Sequence, residues 1–244
     1  MGGASQPCRA ALGRPTICST ASLVLSMRVM NPHEGQHVLR GGAPLVKAKV
    51  ALILIHGRGA SAEDIYSLGE EVSVGVQGVA LLAPQAADNV WYPQRFFAPL
   101  EQNEPYLGSA IGVIGGLVGE LVRGAIPHER IVLIGFSQGA CLSLEFASRN
   151  PRRYGGVMGL SGALIGPPGS PRKAAGSLDG TPVYLGCSDR DAHIPLASVE
   201  ESAVVLARQG ASVTKAIFPG MGHTVNGEEL GVMQELVGNL AAGL

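Results

Sequence analysis

The sequence predicts an α/β fold, with a mostly parallel central sheet and helices on both of its faces. Three observations carry that expectation. Short runs of Val, Ile and Leu alternate with longer segments in which apolar residues recur every three or four positions. The first of these runs, Lys49 to His56, is apolar almost without interruption, which suits a strand covered on both faces. The strand-then-helix order also implies right-handed crossovers between parallel neighbours.

The elements follow in order from residue 48. The strand at 49–56 is broken by Gly57-Arg58-Gly59-Ala60, and Ser61 with Asp64 three residues on reads as a capping box for a helix. Val79–Ala83 is a second strand, stopped by Pro84. The stretch 104–124 has Ile111, Ile114, Leu117, Val118 and Leu121 at helical spacing. Five of its glycines, at 108, 112, 115, 116 and 119, weaken the helix intrinsically but suit close packing on a sheet. The Gly-x-x-x-Gly spacing also resembles a membrane dimer motif, against which Glu120 and Arg123 argue. Arg130–Phe136 is a third strand and Ser137–Ser148 the helix after it. Gly156–Leu160 and Pro182–Cys187 are further strands, and Leu196, Val199, Ala203 and Leu206 stripe a helix over 195–209 that opens near Pro195. Ser212–Phe218 is the last strand; Leu230, Met233, Leu236 and Leu240 mark the last helix.

Length and composition narrow the class. A chain of 244 residues with no internal repeat and no composition boundary reads as one domain over 31–244, preceded by an extension over 1–30. That extension has no clean apolar centre and no Ala-x-Ala site of the kind a signal peptide carries. It reads as disorder or as a misassigned start, with Met27 or Met30 as the true one, ahead of a cleaved signal peptide as the alternative. Charged residues are 15% of the chain, against roughly 25% in an average soluble domain. A net charge of -1 with no basic stripe excludes an electrostatically driven nucleic-acid partner. Gly and Pro interrupt the apolar runs, so no stable membrane insertion is expected. Cys8, Cys18, Cys141 and Cys187 form no C-x-x-C and no zinc-finger spacing, so they read as free thiols in a reducing, cytoplasmic compartment. A homodimer is compatible with all of this.

The sharpest chemical signal is Gly135-Phe136-Ser137-Gln138-Gly139, at a strand-to-helix junction. A serine on such a bend is exposed beside the first helical N–H groups and the positive end of the helix dipole. Glycines on either side remove Cβ atoms that would crowd a tight turn. A hydroxyl needs an adjacent base to become a nucleophile. His193 and His223 are the histidines that follow, and His223 sits in the glycine-rich loop just past the last strand, where an imidazole can fold back over the strand ends. It is the expected general base. Asp189 and Asp191 both follow the penultimate strand and both qualify as the acid that orients the imidazole; spacing alone does not separate them. Asp191 also qualifies as a helix cap. Asp189, Asp191 and His193 could be read as metal ligands, but nothing else completes a shell, so no metal is expected. The oxyanion donors are expected to be the backbone N–H of Gln138 and that of Arg58, with Gly57 as the alternative to Arg58. His56 precedes the serine and reads as structural.

Together, His-Gly-Arg-Gly at 56–59, Gly-Phe-Ser-Gln-Gly at 135–139, Asp191-Ala-His-Ile-Pro195 and Gly222-His223 resemble the phospholipase/carboxylesterase branch of the α/β-hydrolases, which includes the acyl-protein thioesterases. The resemblance covers roughly residues 46–242. It implies the α/β-hydrolase fold and places the acid on Asp191, which is followed three and four residues later by an aliphatic residue and proline. It also places an oxyanion amide directly after His-Gly, at Arg58. The sequence departs from the family in having Arg there and in Trp91-Tyr92-Pro93 followed by Phe96-Phe97.

The expected activity is a serine carboxylesterase acting on a small-molecule ester of short to medium chain, through an acyl-enzyme and without a cofactor. An acyl-thioesterase or lysophospholipase with the same triad is the alternative; a non-catalytic scaffold that binds a small ligand is the alternative of another class. Ser161–Thr181 is too short for a large lid domain. Trp91, Tyr92 and Phe96 are expected to line the substrate pocket, with core packing under a loop as the equal alternative. Cys141 and Cys187 are read as a source of thiol-reagent sensitivity, with inert buried packing as the alternative.

Overall fold

The structure is a computed structural model and describes residues 1–3, 31–172 and 175–244. The extension read over residues 1–30, with Cys8 and Cys18, lies outside the described residues from 4 to 30. In chain order the main elements are β1 (Val38–Gly42), β2 (Val50–Ile55), α1 (Ala62–Val72), β3 (Val79–Pro84), α2 (Tyr106–Arg123), β4 (Ile131–Phe136), α3 (Gln138–Arg149), β5 (Gly156–Leu160), β6 (Pro182–Ser188), α4 (Leu196–Arg208), β7 (Ser212–Phe218) and α5 (Gly227–Ala242). The sheet order is β1-β3-β2-β4-β5-β6-β7. Every neighbouring pair is parallel except β1 with β3.

The uninterrupted apolar strands divide their side chains between two cores. Ala51, Ile53 and Ile55 of β2 face one side and Val50, Leu52 and Leu54 the other; Leu133 and Ile134 of β4 separate in the same way. Helices α2, α3 and α4 cover the first side through residues such as Ile114, Leu142 and Val199. Helices α1 and α5 cover the second through Ile65, Met233 and Val237. Burying one Leu or Ile in either core contributes about 2 kcal/mol. Helix α2 is long and apolar enough to cross a membrane, but it lays Leu107, Ala110, Ile114, Leu117 and Leu121 into the first core.

Strand β1 carries no periodic signal in its sequence. It has just two large apolar residues, Val38 and Leu39, and its Arg40 reaches Glu120 of α2 with contacts of 2.6 and 2.9 Å. The loops that follow β2, β4, β6 and β7 all leave the C-terminal edge of the sheet, where open α/β sheets place their sites.

Candidate active site

Strand β4 ends in a bend that only certain residues tolerate. Ser137 has φ 54° and ψ −115°, a strained backbone for a residue with a Cβ. The surrounding hydrogen bonds enforce it. The Ser137 N–H donates to the Leu160 carbonyl at 2.9 Å, and the Cys141 N–H to the Ser137 carbonyl at 3.0 Å. A Cβ on Gly135 would overlap the Gly139 carbonyl and stand 2.6 Å from the Ala140 nitrogen. A Cβ on Gly139 would overlap the Ile55 carbonyl and stand 2.6 Å from that of His56. The two glycines are what let β4, α3 and the end of β2 converge.

The loop between β7 and α5 brings His223 to this bend. Its Nε2 lies 2.8 Å from Ser137 Oγ, and its Nδ1 lies 2.6 Å from Asp191 Oδ2. With Nδ1–H donating to the carboxylate, Nε2 is left to accept from the serine hydroxyl. The loop is fixed at both ends. Asp189 Oδ1 accepts from the Gly220 N–H at 2.7 Å, where φ is +69°. Asn226 caps α5 by accepting from the Glu228 and Glu229 N–H groups, both at 2.9 Å. The Phe136 ring packs against the imidazole at 4.9 Å.

The two aspartates that spacing left open thus have separate tasks. Asp191 meets the imidazole, whereas Asp189 holds the turn that carries it. The Asp191 side chain is fully buried, and its Oδ1 accepts from the His193 and Ile194 N–H groups at 2.7 and 3.0 Å. Burial pushes this carboxyl up; the bonds from His223, His193 and Ile194 outweigh burial and hold it below the usual carboxylate range. Among the described residues no three His, Cys, Asp or Glu side chains gather to hold a metal.

The Arg58 and Gln138 backbone N–H groups, the expected oxyanion donors, have no acceptor among the described residues, whereas the Gly59 N–H is taken by the Asn89 carbonyl at 2.8 Å. The side chains of these two residues do something the sequence did not announce. The Arg58 guanidinium donates to the carbonyls of Tyr92 and Gln94, each at 2.8 Å, and of Pro93 at 3.1 Å. Gln138 accepts from the Trp91 N–H and donates to the Tyr92 carbonyl, both at 2.8 Å. Arg58 and Gln138 therefore clamp the 91–94 loop beside Ser137.

Beneath that loop is a cleft of ≈ 550 Å³, with Ser137 and His223 in its wall and Tyr92, Phe96, Phe136 and Ile194 around them. Trp91 is a correction to the expected lining. It is fully buried, its indole N–H donates to the His56 carbonyl at 3.0 Å, and its ring packs against His56 and His33 rather than facing the cleft. His56 serves this scaffold: its Nδ1 donates to the Gly57 carbonyl at 2.8 Å and its Nε2 accepts from the Ala86 N–H at 3.1 Å. Burial lowers its pKa, in keeping with an Nε2 that accepts. The expected thiol sensitivity also needs correction. Burial pushes the Cys141 thiol up to about 11; burial and the neighbouring Asp191 charge push Cys187 up to about 12. Neither supplies a thiolate at neutral pH.

Comparison with known proteins gives the family. Residues 42–240 match the family described as Phospholipase/Carboxylesterase. A solved phospholipase/carboxylesterase from Dyadobacter fermentans is 38% identical, superposes with a TM-score of 0.80, and is matched over 86% of this chain and 99% of that one. Acyl-protein thioesterase 1 of Gibberella zeae is 30% identical over 68% of this chain and 62% of its own length. The chain spans 60% of the Kluyveromyces lactis protein of the same name. A Bacillus cereus carboxylesterase, 21% identical with a TM-score of 0.66 over 85% of this chain and 95% of that one, shares the fold.

Proposed function

Because this chain belongs to the phospholipase/carboxylesterase family of α/β-hydrolases, we propose that it is a serine carboxylesterase that hydrolyses short- to medium-chain esters of small molecules. The observation that carries the reading is the unbroken path from Ser137 Oγ through His223 to Asp191, at 2.8 and 2.6 Å. Ser137 attacks the ester carbonyl as His223 takes its proton. Asp191 holds the imidazole tautomer and stabilises the imidazolium that forms. The Arg58 and Gln138 amides receive the oxyanion, with the dipole of α3 adding to their field. Collapse of the tetrahedral species expels the alcohol, protonated by His223. Water then enters, is deprotonated by the same imidazole, and releases the acid while Ser137 is restored.

The cleft volume of ≈ 550 Å³ is within the range of small-molecule sites and suits a modest acyl group. The thioesterase reading draws on the Gibberella zeae relative, since the same machinery cleaves a thioester. A series of p-nitrophenyl esters from acetate to palmitate, run beside an acyl thioester, decides between them. The proposal expects kcat/KM to peak at short to medium chains and to exceed that of the thioester. A preference for the thioester would move the substrate class, and no turnover of any member would make the protein a binding scaffold.

A further inference from the structure

The charge around the cleft is one-sided. Arg58 and Arg95 both border it, and among the described residues no Asp or Glu side chain does. The Arg58 guanidinium is bonded to three neutral carbonyls, so its charge is not cancelled by a carboxylate. Arg95 takes part in no ion pair among the described residues. The carboxylates nearest the chemistry are spoken for: Asp191 is fully buried and committed to His223, Asp189 accepts from the Gly220 N–H, and buried Glu145, behind Tyr92 and Cys141, is paired with Arg149 and Arg172.

Arg95 is exposed, but the backbone that carries it is held in place. Its flanks are pinned by fully buried Asn103, whose Oδ1 accepts from the Gln94 N–H at 2.8 Å and whose Nδ2 donates to the Arg95 carbonyl at 3.4 Å. The Phe96 carbonyl accepts from the Gly166 N–H at 2.7 Å. Arg58 takes the Gln94 carbonyl, so the two arginines share one scaffold. The Arg95 guanidinium lies over the Phe97 ring at 5.7 Å, and Phe97 stands edge-on to Phe96 at 5.2 Å. A cation at that distance is attracted by the ring face while its N–H groups stay free for a planar acceptor.

A concave site walled by low-dielectric side chains and bordered by one sign of charge concentrates ligands of the opposite sign. A neutral ester gains nothing from that field. We infer that the preferred substrate is an ester that also carries a free carboxylate, with Arg95 as the residue that reads the charge. This rests on the esterase reading and names its substrate class more closely. The carboxylate can belong to the acyl or the alcohol half; the chemistry Arg95 recognises is the same.

Two matched pairs test it. Mono-p-nitrophenyl adipate against p-nitrophenyl hexanoate places the charge on the acyl half. 4-Butanoyloxybenzoate against phenyl butanoate places it on the alcohol half. The quantity read is the ratio of kcat/KM, anionic over neutral, corrected for spontaneous hydrolysis, in wild type, Arg95→Gln and Arg95→Glu. A ratio within one enzyme is insensitive to partial loss of folded protein. The wild type is expected to favour the anionic member of at least one pair by about tenfold at low salt. That preference should shrink at high ionic strength, vanish in Arg95→Gln and reverse in Arg95→Glu. Turnover with a ratio near one in the wild type, or a preference that survives Arg95→Gln, overturns the inference and leaves the esterase standing. No turnover of any of the four substrates overturns both.

Discussion

Gly135 and Gly139 flank Ser137, and Gly112 and Gly116 stand at the same spacing of four in α2. Around the first pair, three backbones pass within contact of one another, and a Cβ at either position runs into a carbonyl. Around the second pair a Cβ would meet nothing within 4 Å, and both residues face solvent. The close packing that the α2 glycines suggested in the sequence is absent at these two positions. A glycine motif carries information where another segment's backbone must come close, and spacing alone does not reveal that. The same contrast recurs wherever one residue type appears in two settings, and each case can be tested.

The largest contrast is between Asp191 and Asp189. Asp191→Asn should lower kcat by about 10⁴-fold, because an amide favours the wrong imidazole tautomer. Asp189→Asn keeps an oxygen for the Gly220 N–H and should cost less than about tenfold. Steady-state kinetics on both variants checks this, and the reverse ranking would move the acid to Asp189.

Next come the glycines themselves. Gly139→Ala should destabilise the fold by about 3 kcal/mol or more, since the obstacle is backbone and no rotamer change relieves it. Denaturant midpoints measure it; a shift as small as that of a surface substitution would show that the bend can relax.

Two buried glutamates give a third contrast. Glu145 is fully satisfied by Arg149 at 2.7 Å, Arg172 at 2.6 Å and the Ile165 N–H at 3.0 Å. Glu145→Gln should cost about 2 kcal/mol through weakened charge-assisted bonds. Glu229 bonds the Asn226 N–H at 3.0 Å through Oε2, while its Oε1 and the nearby Tyr184 hydroxyl have no partner. Burial raises the Glu229 pKa, with Glu228 adding to it against the Asn226 bond. A carboxyl raised in the folded state favours folding below its unfolded pKa and loses that contribution as pH rises through the folded value. Glu229→Gln should therefore stabilise the protein at pH 7–8, by about 1 kcal/mol, and the gain should disappear near pH 4. Thermal melts across that range report it, and a variant destabilised at neutral pH would contradict it.

The smallest effect is expected in α2. Gly112→Ala and Gly116→Ala should each raise stability by about 0.5–1 kcal/mol, the helix propensity gained without a clash. Loss of stability would mean that the helix packs more tightly there than its surroundings indicate.

These contrasts also explain what was legible in the sequence. The inner strands were readable because a strand covered on both faces must be apolar throughout, and β2 and β4 are. The helices at 106–123 and 196–208 were readable from their stripes, with ends shifted by one or two residues. The Ser137 bend was readable because its demands are local and fall within five residues. Strand β1 was not, since two apolar residues make no pattern. The choice between Asp189 and Asp191 depends on which way a loop turns, and only the family resemblance separated them. The clamp made by Arg58 and Gln138 depends on carbonyls more than thirty residues away in the chain, and the same distance hid the true place of Trp91, whose indole bonds the His56 carbonyl beneath the cleft. Long-range hydrogen bonds leave no periodic trace.

The most direct test of the central claim is covalent labelling of the folded protein with a fluorophosphonate, followed by peptide mass spectrometry. The account predicts one adduct, on the Ser137 hydroxyl, together with loss of ester hydrolysis; Ser137→Ala should fold, take up no label and lose activity by about 10⁴- to 10⁶-fold. An unlabelled Ser137 in protein that still hydrolyses esters, or turnover that survives Ser137→Ala, would contradict it.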